Sequence, residues 1–369
     1  MYWAQWMSRG HGWPHSFPMF RGLWIRHGTN IDGRRRVYCK MKALVYIGIE
    51  TLEMRDVADP NPGSGECVVR VESVGICGSD MHAYLGHDDR RPAPIILAMK
   101  LQRCRRGAYD GARVTVNPLV TCGTCRYCTS GQDNLCPNRQ IISMQPREGG
   151  FAQKIAIPER NLVIIDDSLT FDQAALAEPI ACGWHAARVA KAHPAGSDAT
   201  RALVFGGGAI GMGAALSLRA QGIENVSLVE PNEVRRDYIT KRYDMHVIDP
   251  TQVSSGDDYD VVIDGVGYVA TREQASEAVR PGGIIVHIGL GQDLGGLNIR
   301  RMTLQEITFT GTYTYTSQDF RDTAQAMMDG KLGDLSWTET RPLSHGAQAF
   351  QDIRSGTSQA PKIILKPTH

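Results

Sequence analysis

Cys122, Cys125, Cys128 and Cys136 stand in the pattern C-x2-C-x2-C-x7-C. Four thiolates so spaced can surround one Zn²⁺ as a closed tetrahedron, which leaves no position for substrate and so predicts a structural site. Disulfides are one alternative. An iron–sulfur cluster is another, because Pro137 follows the last cysteine as it does in ferredoxin-type runs; the final spacing of seven argues against it.

A second motif lies further on. Gly206-Gly-Gly-Ala-Ile-Gly211 reads G-x-G-x-x-G between an apolar run, Ala202-Leu-Val-Phe205, and a helical stretch. In such a loop Gly206 makes the tight turn, Gly208 lets the backbone approach a pyrophosphate, and Gly211 lets helix and strand pack closely. Ala209 and Ile210 then open the helix, whose free N–H groups and dipole favour phosphate. Glu230 ends the next apolar run, where a carboxylate can accept hydrogen bonds from ribose hydroxyls and repel a 2′-phosphate. NAD is expected over NADP, although Arg235 and Arg236 keep NADP open. Asp264-Gly-Val-Gly267 and Gly289-Leu-Gly291 end later runs and are candidate cofactor turns, with Gly289 on the cofactor edge.

These motifs need elements to hold them. From residue 41 to about 180 the chain shows short strands broken by Gly, Pro and Asp, such as Met41-Lys-Ala-Leu-Val-Tyr46 and Cys67-Val-Val-Arg-Val71. That texture predicts a β-rich, barrel-like domain. From about 181 to 311 apolar runs of parallel-strand type alternate with helical segments, which predicts a βαβ sheet. The run Lys362-Ile-Ile-Leu-Lys366 is expected to return to the first domain.

The 369 residues fit two domains, and 42% hydrophobic against 21% charged residues fits a globular protein. Residues 1–40 hold seven Lys/Arg, one Asp and four of the six Trp; with a chain total of +1, the remainder carries −5. A body of that charge has no global attraction to nucleic acid, and no apolar run approaches the ~20 residues that span a membrane. The 1–40 segment lacks a helical or strand period and reads as a non-native or disordered extension. Nine cysteines, four of them clustered, suggest metal binding in a reducing cytoplasm.

Together these features resemble the zinc-dependent medium-chain alcohol dehydrogenases. The matching motifs are Gly75-Ile-Cys-Gly-Ser-Asp-Met-His82, the four-cysteine lobe, Ala177-Glu-Pro-Ile180 with His185-Ala186, and the glycine loop. Within the family the chain is similar to the polyol branch, on the Glu-Pro dipeptide and Gly311-Thr-Tyr-Thr-Tyr315; that branch often has an aromatic-Arg-aromatic triplet where this chain reads Tyr313-Thr-Tyr315. The resemblance implies an α/β chain with a GroES-like β-barrel catalytic domain (41–180 and 312–369) and a doubly wound Rossmann NAD-binding domain (181–311). It implies Cys77 and Glu178 as ligands of a catalytic zinc, Ser79 and His82 as a proton relay, and Asp80 in support. Cys182 is expected in the core and His185 in a structural role. The expected reaction is oxidation of a secondary alcohol or polyol to a ketone, with hydride passing to NAD, in a homodimer or homotetramer.

One family element is missing. A Gly-His-Glu motif should follow Arg91-Pro-Ala-Pro-Ile-Ile-Leu97, but the chain reads Ala98-Met-Lys-Leu-Gln102. The codons GGC CAT GAA GCT GCA encode Gly-His-Glu-Ala-Ala; with one base dropped they read GCC ATG AAG CTG CA, which encodes the residues found. Residues 98 to about 107 therefore read as out-of-frame translation. The alternative function is then a folded NAD- and structural-zinc-binding protein with impaired catalysis. Restoring Gly-His-Glu-Ala-Ala at 98–102, with the slip corrected through 107, should raise zinc per chain and alcohol oxidation together. Loss of a direct ligand should weaken metal binding more than the ~10–100-fold typical of an outer-shell change. Adding Cys77→Ser should abolish the gain. An unrepaired chain that already binds two zincs and turns over equally fast would refute this account.

Overall fold

The computed structural model describes residues 40–98, 103–104, 109–256 and 258–368. The 1–39 segment and residues 99–102 and 105–108, which include most of the stretch expected to be out of frame, lie outside the described residues.

In the first part, β1 (Lys40–Gly48) pairs antiparallel with β2 (Thr51–Ala58). β3 (Glu66–Arg70) is followed by helix α1 (Gly78–Tyr84), and β4 (Lys154–Pro158) returns to pair with β3. Inward residues of these strands, such as Leu44 and Val69, bury their side chains with Leu97 and Phe151 in one core. Alternation along β3, with Cys67 and Val69 buried and their neighbours less so, is the period-2 pattern of a strand with one apolar face.

Helix α2 (Ala177–Ala192) leads into the second part. It runs unbroken through 180/181, so the boundary expected there falls inside a helix. Pro179 permits this because first-turn N–H groups have no intrahelical acceptor to lose. There follow β5 (Ala202–Phe205), α3 (Ala209–Ala220), β6 (Val226–Val229), α4 (Glu233–Arg242), β7 (His246–Ile248), β8 (Tyr259–Asp264), α5 (Val269–Ala278), β9 (Val279–His287) and β10 (Thr308–Gly311). The six strands form one parallel sheet in the order β7-β6-β5-β8-β9-β10. The order reverses between β5 and β8, and the crevice outside the C-terminal ends of such strands is where ligands enter a doubly wound sheet.

After α6 (Ser317–Met328) the chain forms β11 (Thr338–Pro342), α7 (Gly346–Ser355) and β12 (Lys362–Lys366). β12 pairs with β11 and with Val74–Gly75, and Ile76 donates its N–H to the Ile363 carbonyl at 3.0 Å. The C-terminal strand thus fixes the backbone immediately before Cys77, as the return of 362–366 predicts.

α2 crosses α3 in close contact within the second part's core. A methyl group at Gly183 would lie 2.3 Å from the Ala214 nitrogen, and one at Gly213 would lie 2.9 Å from Ile180 Cα. Backbone therefore meets backbone, and neither helix can back away because both are packed into the core. Gly183→Val should destabilise the fold by at least the about 1–3 kcal/mol of ordinary overpacking. The check is the denaturation midpoint, which should fall clearly below that of the parent chain.

Candidate active site

Cys77 is the N-terminal cap of α1, and Asp80 one turn on organises it. The Asp80 carboxylate is fully buried; its Oδ2 accepts the Cys77 backbone N–H at 2.9 Å and lies 3.0 Å from the Cys77 Sγ. Its Oδ1 accepts the Ala98 N–H at 3.0 Å. One buried carboxylate thus ties the first metal-ligand candidate to the point where the Gly-His-Glu motif is expected. Ala98 itself sits at φ 78°, a left-handed conformation that glycine adopts without cost and alanine does not. Glycine is the residue that the expected motif places there.

Glu178 lies in the first turn of α2, where the helix dipole favours a carboxylate, and is 7% exposed. Cys182, one turn further, presents its Sγ 4.0 Å from Glu178 Oε1. The sequence assigns Cys182 to the core, yet the structure places it both in the core and on the wall of the cavity that Glu178 faces. The reason is helical: i and i+4 share a face. Burial pushes the phenol of Tyr315, on the same wall, well above its usual pKa, and negative charge at Glu178 and Cys182 adds to this.

Cys77, Ser79, His82, Glu178 and Cys182 line one end of a cavity of about 820 Å³ whose other end is formed by Gly206, Gly208–Gly211, Glu230, Arg235 and Gly289. Ser79 and His82 share this cavity, but among the described residues no hydrogen bond joins them, so a relay needs a bridging hydroxyl or water. His185 is elsewhere. Its Nδ1 pairs with Asp319 Oδ2 at 2.8 Å, and Arg188 Nε meets the other oxygen at 2.6 Å. This matches its expected structural role, joining α2 to α6.

The glycine loop is shaped as its sequence requires. Gly206 has φ 102°, a methyl at Gly211 would lie 1.6 Å from the Gly206 carbonyl oxygen, and a methyl at Gly208 would meet nothing within 4 Å. The first two features are tight turn and close packing; the third leaves open space ahead of the α3 N-terminus for a pyrophosphate. Glu230 Oε2 accepts the Gly207 N–H at 2.8 Å, its Oε1 accepts the Asn232 N–H at 2.8 Å, and Arg235 Nη1 stands 3.6 Å away. The carboxylate is thereby held still with lone pairs to spare for a ribose. Arg236 is turned to the Glu230 carbonyl and to Asp249. Asp264 organises the next turn, its Oδ1 accepting N–H groups of Val266 and Gly267 at 2.9 Å each.

Lys362 escaped the sequence reading. It is 4% exposed, lines the cavity, and its Cε would lie 2.6 Å from a methyl at Gly75. The available signal was a cation heading the otherwise apolar strand Ile-Ile-Leu, with a glycine just before Ile76-Cys77 to admit it.

The four cysteines of the lobe have sulfurs all within 4.8 Å of one another. Backbone N–H groups of Thr124 and Cys125 draw the Cys122 thiol down to about 5. Burial and the neighbouring Cys125 sulfur push Cys128 up to about 12. Four thiolates this close repel one another, so the full anionic set requires a cation, and Zn²⁺ matches its geometry. Cys125→Ser should remove about one zinc per chain and lower stability, because metal binding is coupled to folding. Elemental analysis checks this, and unchanged zinc content would contradict it.

Comparison with known proteins agrees with this geometry. A sequence model of the alcohol dehydrogenase GroES-like domain matches residues 63–167, and one of the zinc-binding dehydrogenases matches residues 209–329. The chain is 29% identical over 313 residues to L-galactonate-5-dehydrogenase of Escherichia coli, covering 79% of this chain and 89% of that one. It is 28% identical over 302 residues to sorbitol dehydrogenase of Bacillus subtilis, covering 75% and 83%. In fold it is similar to 2R,3R-butanediol dehydrogenase from Bacillus subtilis, with TM-score 0.78, 22% identity and coverage of 89% and 100%. Matched in both halves and in the spacing of its metal and cofactor motifs, the chain belongs to the zinc-dependent medium-chain alcohol dehydrogenase family.

Proposed function

We propose that this chain oxidises a secondary alcohol or polyol to a ketone, passing hydride to NAD. The observation that carries this is the shared cavity: metal-ligand and proton-relay candidates line one end, and the glycine loop with Glu230 lines the other. Cys77 and Glu178 would hold the catalytic zinc, and Ala98-Met-Lys-Leu-Gln102 offers no imidazole or carboxylate as a third anchor. Zinc supplies Lewis acidity that favours the alkoxide form of the alcohol. The chain's own residues do the rest. Asp80 positions Cys77, and Ser79 and His82 carry the alcohol proton outward.

The division into a catalytic domain (41–180 and 312–369) and a Rossmann domain (181–311) is part of this reading, with α2 as the rod between them. So are a cytoplasmic setting, a homodimer or homotetramer, and small-molecule rather than nucleic-acid or membrane partners. The described cysteines are free thiols, and no described helix is long and apolar enough to cross a membrane.

NADH formation with a panel of alditols and secondary alcohols tests the reaction, and Cys77→Ser should abolish it. Fluorescence titration tests the cofactor. Glu230→Ala should weaken NADH binding more than NADPH binding, by removing the carboxylate that takes the ribose hydroxyls. A parent chain that already prefers NADPH would overturn the reading of Glu230.

A further inference from the structure

The four-cysteine lobe is tied to a cavity that its own sulfurs do not line. Its base is a two-stranded stem in which Leu119–Val120 runs antiparallel to Gln140–Ile141. Leu119 and Ile141 of that stem face the cavity. Further out, the lobe grips the segment that begins at Tyr313. Buried Asn134 donates its Nδ2 to the Tyr313 carbonyl at 2.9 Å. Arg139 donates from Nε to the Tyr313 phenol oxygen at 3.2 Å, and its guanidinium carbon lies 4.6 Å from the ring centroid. Asp133 accepts the Ser317 N–H at 3.0 Å and the Ser317 hydroxyl as well. Tyr313 is therefore held at its main chain, its ring and its hydroxyl by one lobe. With Thr314 and Tyr315 it lines the cavity that Cys77 and Glu178 share.

These contacts converge on Cys136. Asn134 lies in the short 3-10 turn Asp133–Leu135 just before it, and the Cys136 N–H donates to the Asp133 carbonyl at 3.0 Å. The Cys136 carbonyl accepts Arg139 Nη1 at 2.9 Å, and its Sγ accepts the Cys122 N–H at 3.5 Å. Among residues 122–139 only Asn134 and Cys136 are buried, and neither belongs to an apolar core. A segment without apolar burial of its own takes its shape from whatever joins its cysteines, as small metal-bound units do. Arg139 makes no ion pair among the described residues, so its direction depends on Tyr313 and on the Cys136 carbonyl.

We propose that the four-cysteine lobe positions the alcohol end of the cavity: closed on its metal, it holds Tyr313 in the wall through Asn134 and Arg139, and metal loss releases that residue. The grip on Tyr313 stands on the geometry alone; that the wall meets an alcohol rests on the dehydrogenase reading. Arg139 is a positioning residue, acting through Tyr313.

The test places a fluorine atom on the Tyr313 ring and follows its NMR resonance in the full chain. No hydrogen bond joins a lobe sulfur to Tyr313 among the described residues, so a response to zinc loss reports the shape of the lobe. Cys125→Ser should shift and broaden the resonance, while NADH affinity by fluorescence titration stays that of the parent. Arg139→Ala is the second variant, in a lobe that keeps its zinc by elemental analysis. It should raise KM for oxidised alcohols about three- to tenfold, the size of one lost arginine–tyrosine contact. Its kcat should hold, because a displaced wall weakens ground-state and transition-state binding alike. Arg139→Lys, which keeps a cation over the ring, should restore part of the loss. A Tyr313 resonance indifferent to zinc loss, or an alcohol KM unmoved by Arg139→Ala, would overturn the proposal. A chain that oxidises no alcohol, even after repair of 98–102, removes the proposed reaction instead, and the resonance still decides whether the lobe holds Tyr313.

Discussion

The backbone-to-backbone crossing of α2 and α3 is the constraint on which the site depends. Gly183 and Gly213 allow it, because any side chain at either position would meet main-chain atoms of the other helix. α2 carries Glu178 and Cys182, and α3 begins at the phosphate-binding loop. The crossing therefore sets the distance between the metal end and the cofactor end of the cavity. Hydride transfer is sensitive to such spacing, since reacting atoms must approach to about 3–3.5 Å. A rigid contact through glycines holds this distance better than interdigitated long side chains, which can change rotamer.

The metal end is assembled from three separate stretches of chain. β12 fixes the backbone before Cys77, Asp80 fixes the cap of α1, and the same carboxylate reaches Ala98. Asp80 is buried without a cationic partner among the described residues, and backbone N–H bonds compensate its charge. Because it touches both Cys77 and residue 98, Asp80 ties the cap of α1 to the start of the 98–102 stretch. The left-handed backbone at Ala98 retains the shape of a glycine position.

Near the substrate end the tyrosine triplet reads Tyr313-Thr-Tyr315. In the surrounding wall one turn has Asp88 bracing two arginines of opposite exposure. Arg91 is buried in the wall and Arg90 is exposed.

What the sequence determined is what short spacing determines. The cysteine lobe, the glycine loop with Glu230 and the strand–helix alternation are local patterns, and each folds as its spacing requires because its ligand or turn geometry involves neighbours in the chain. Tertiary structure decided the rest. Cys182 reads as a core residue, and its wall position follows from sharing a helix face with Glu178 once that face lines the cavity. Lys362 reads as a strand terminus, and its place in the cavity follows from pairing with Val74–Gly75 and from the missing side chain of Gly75. His185 acquires its partner, Asp319, from a helix more than a hundred residues away. Arg139 meets Tyr313 only through folding, and the boundary expected at 180/181 falls inside α2, where a proline in the first helical turn costs no hydrogen bond. Each of these depends on which surfaces meet across long stretches of chain, and composition and periodicity hold no record of that.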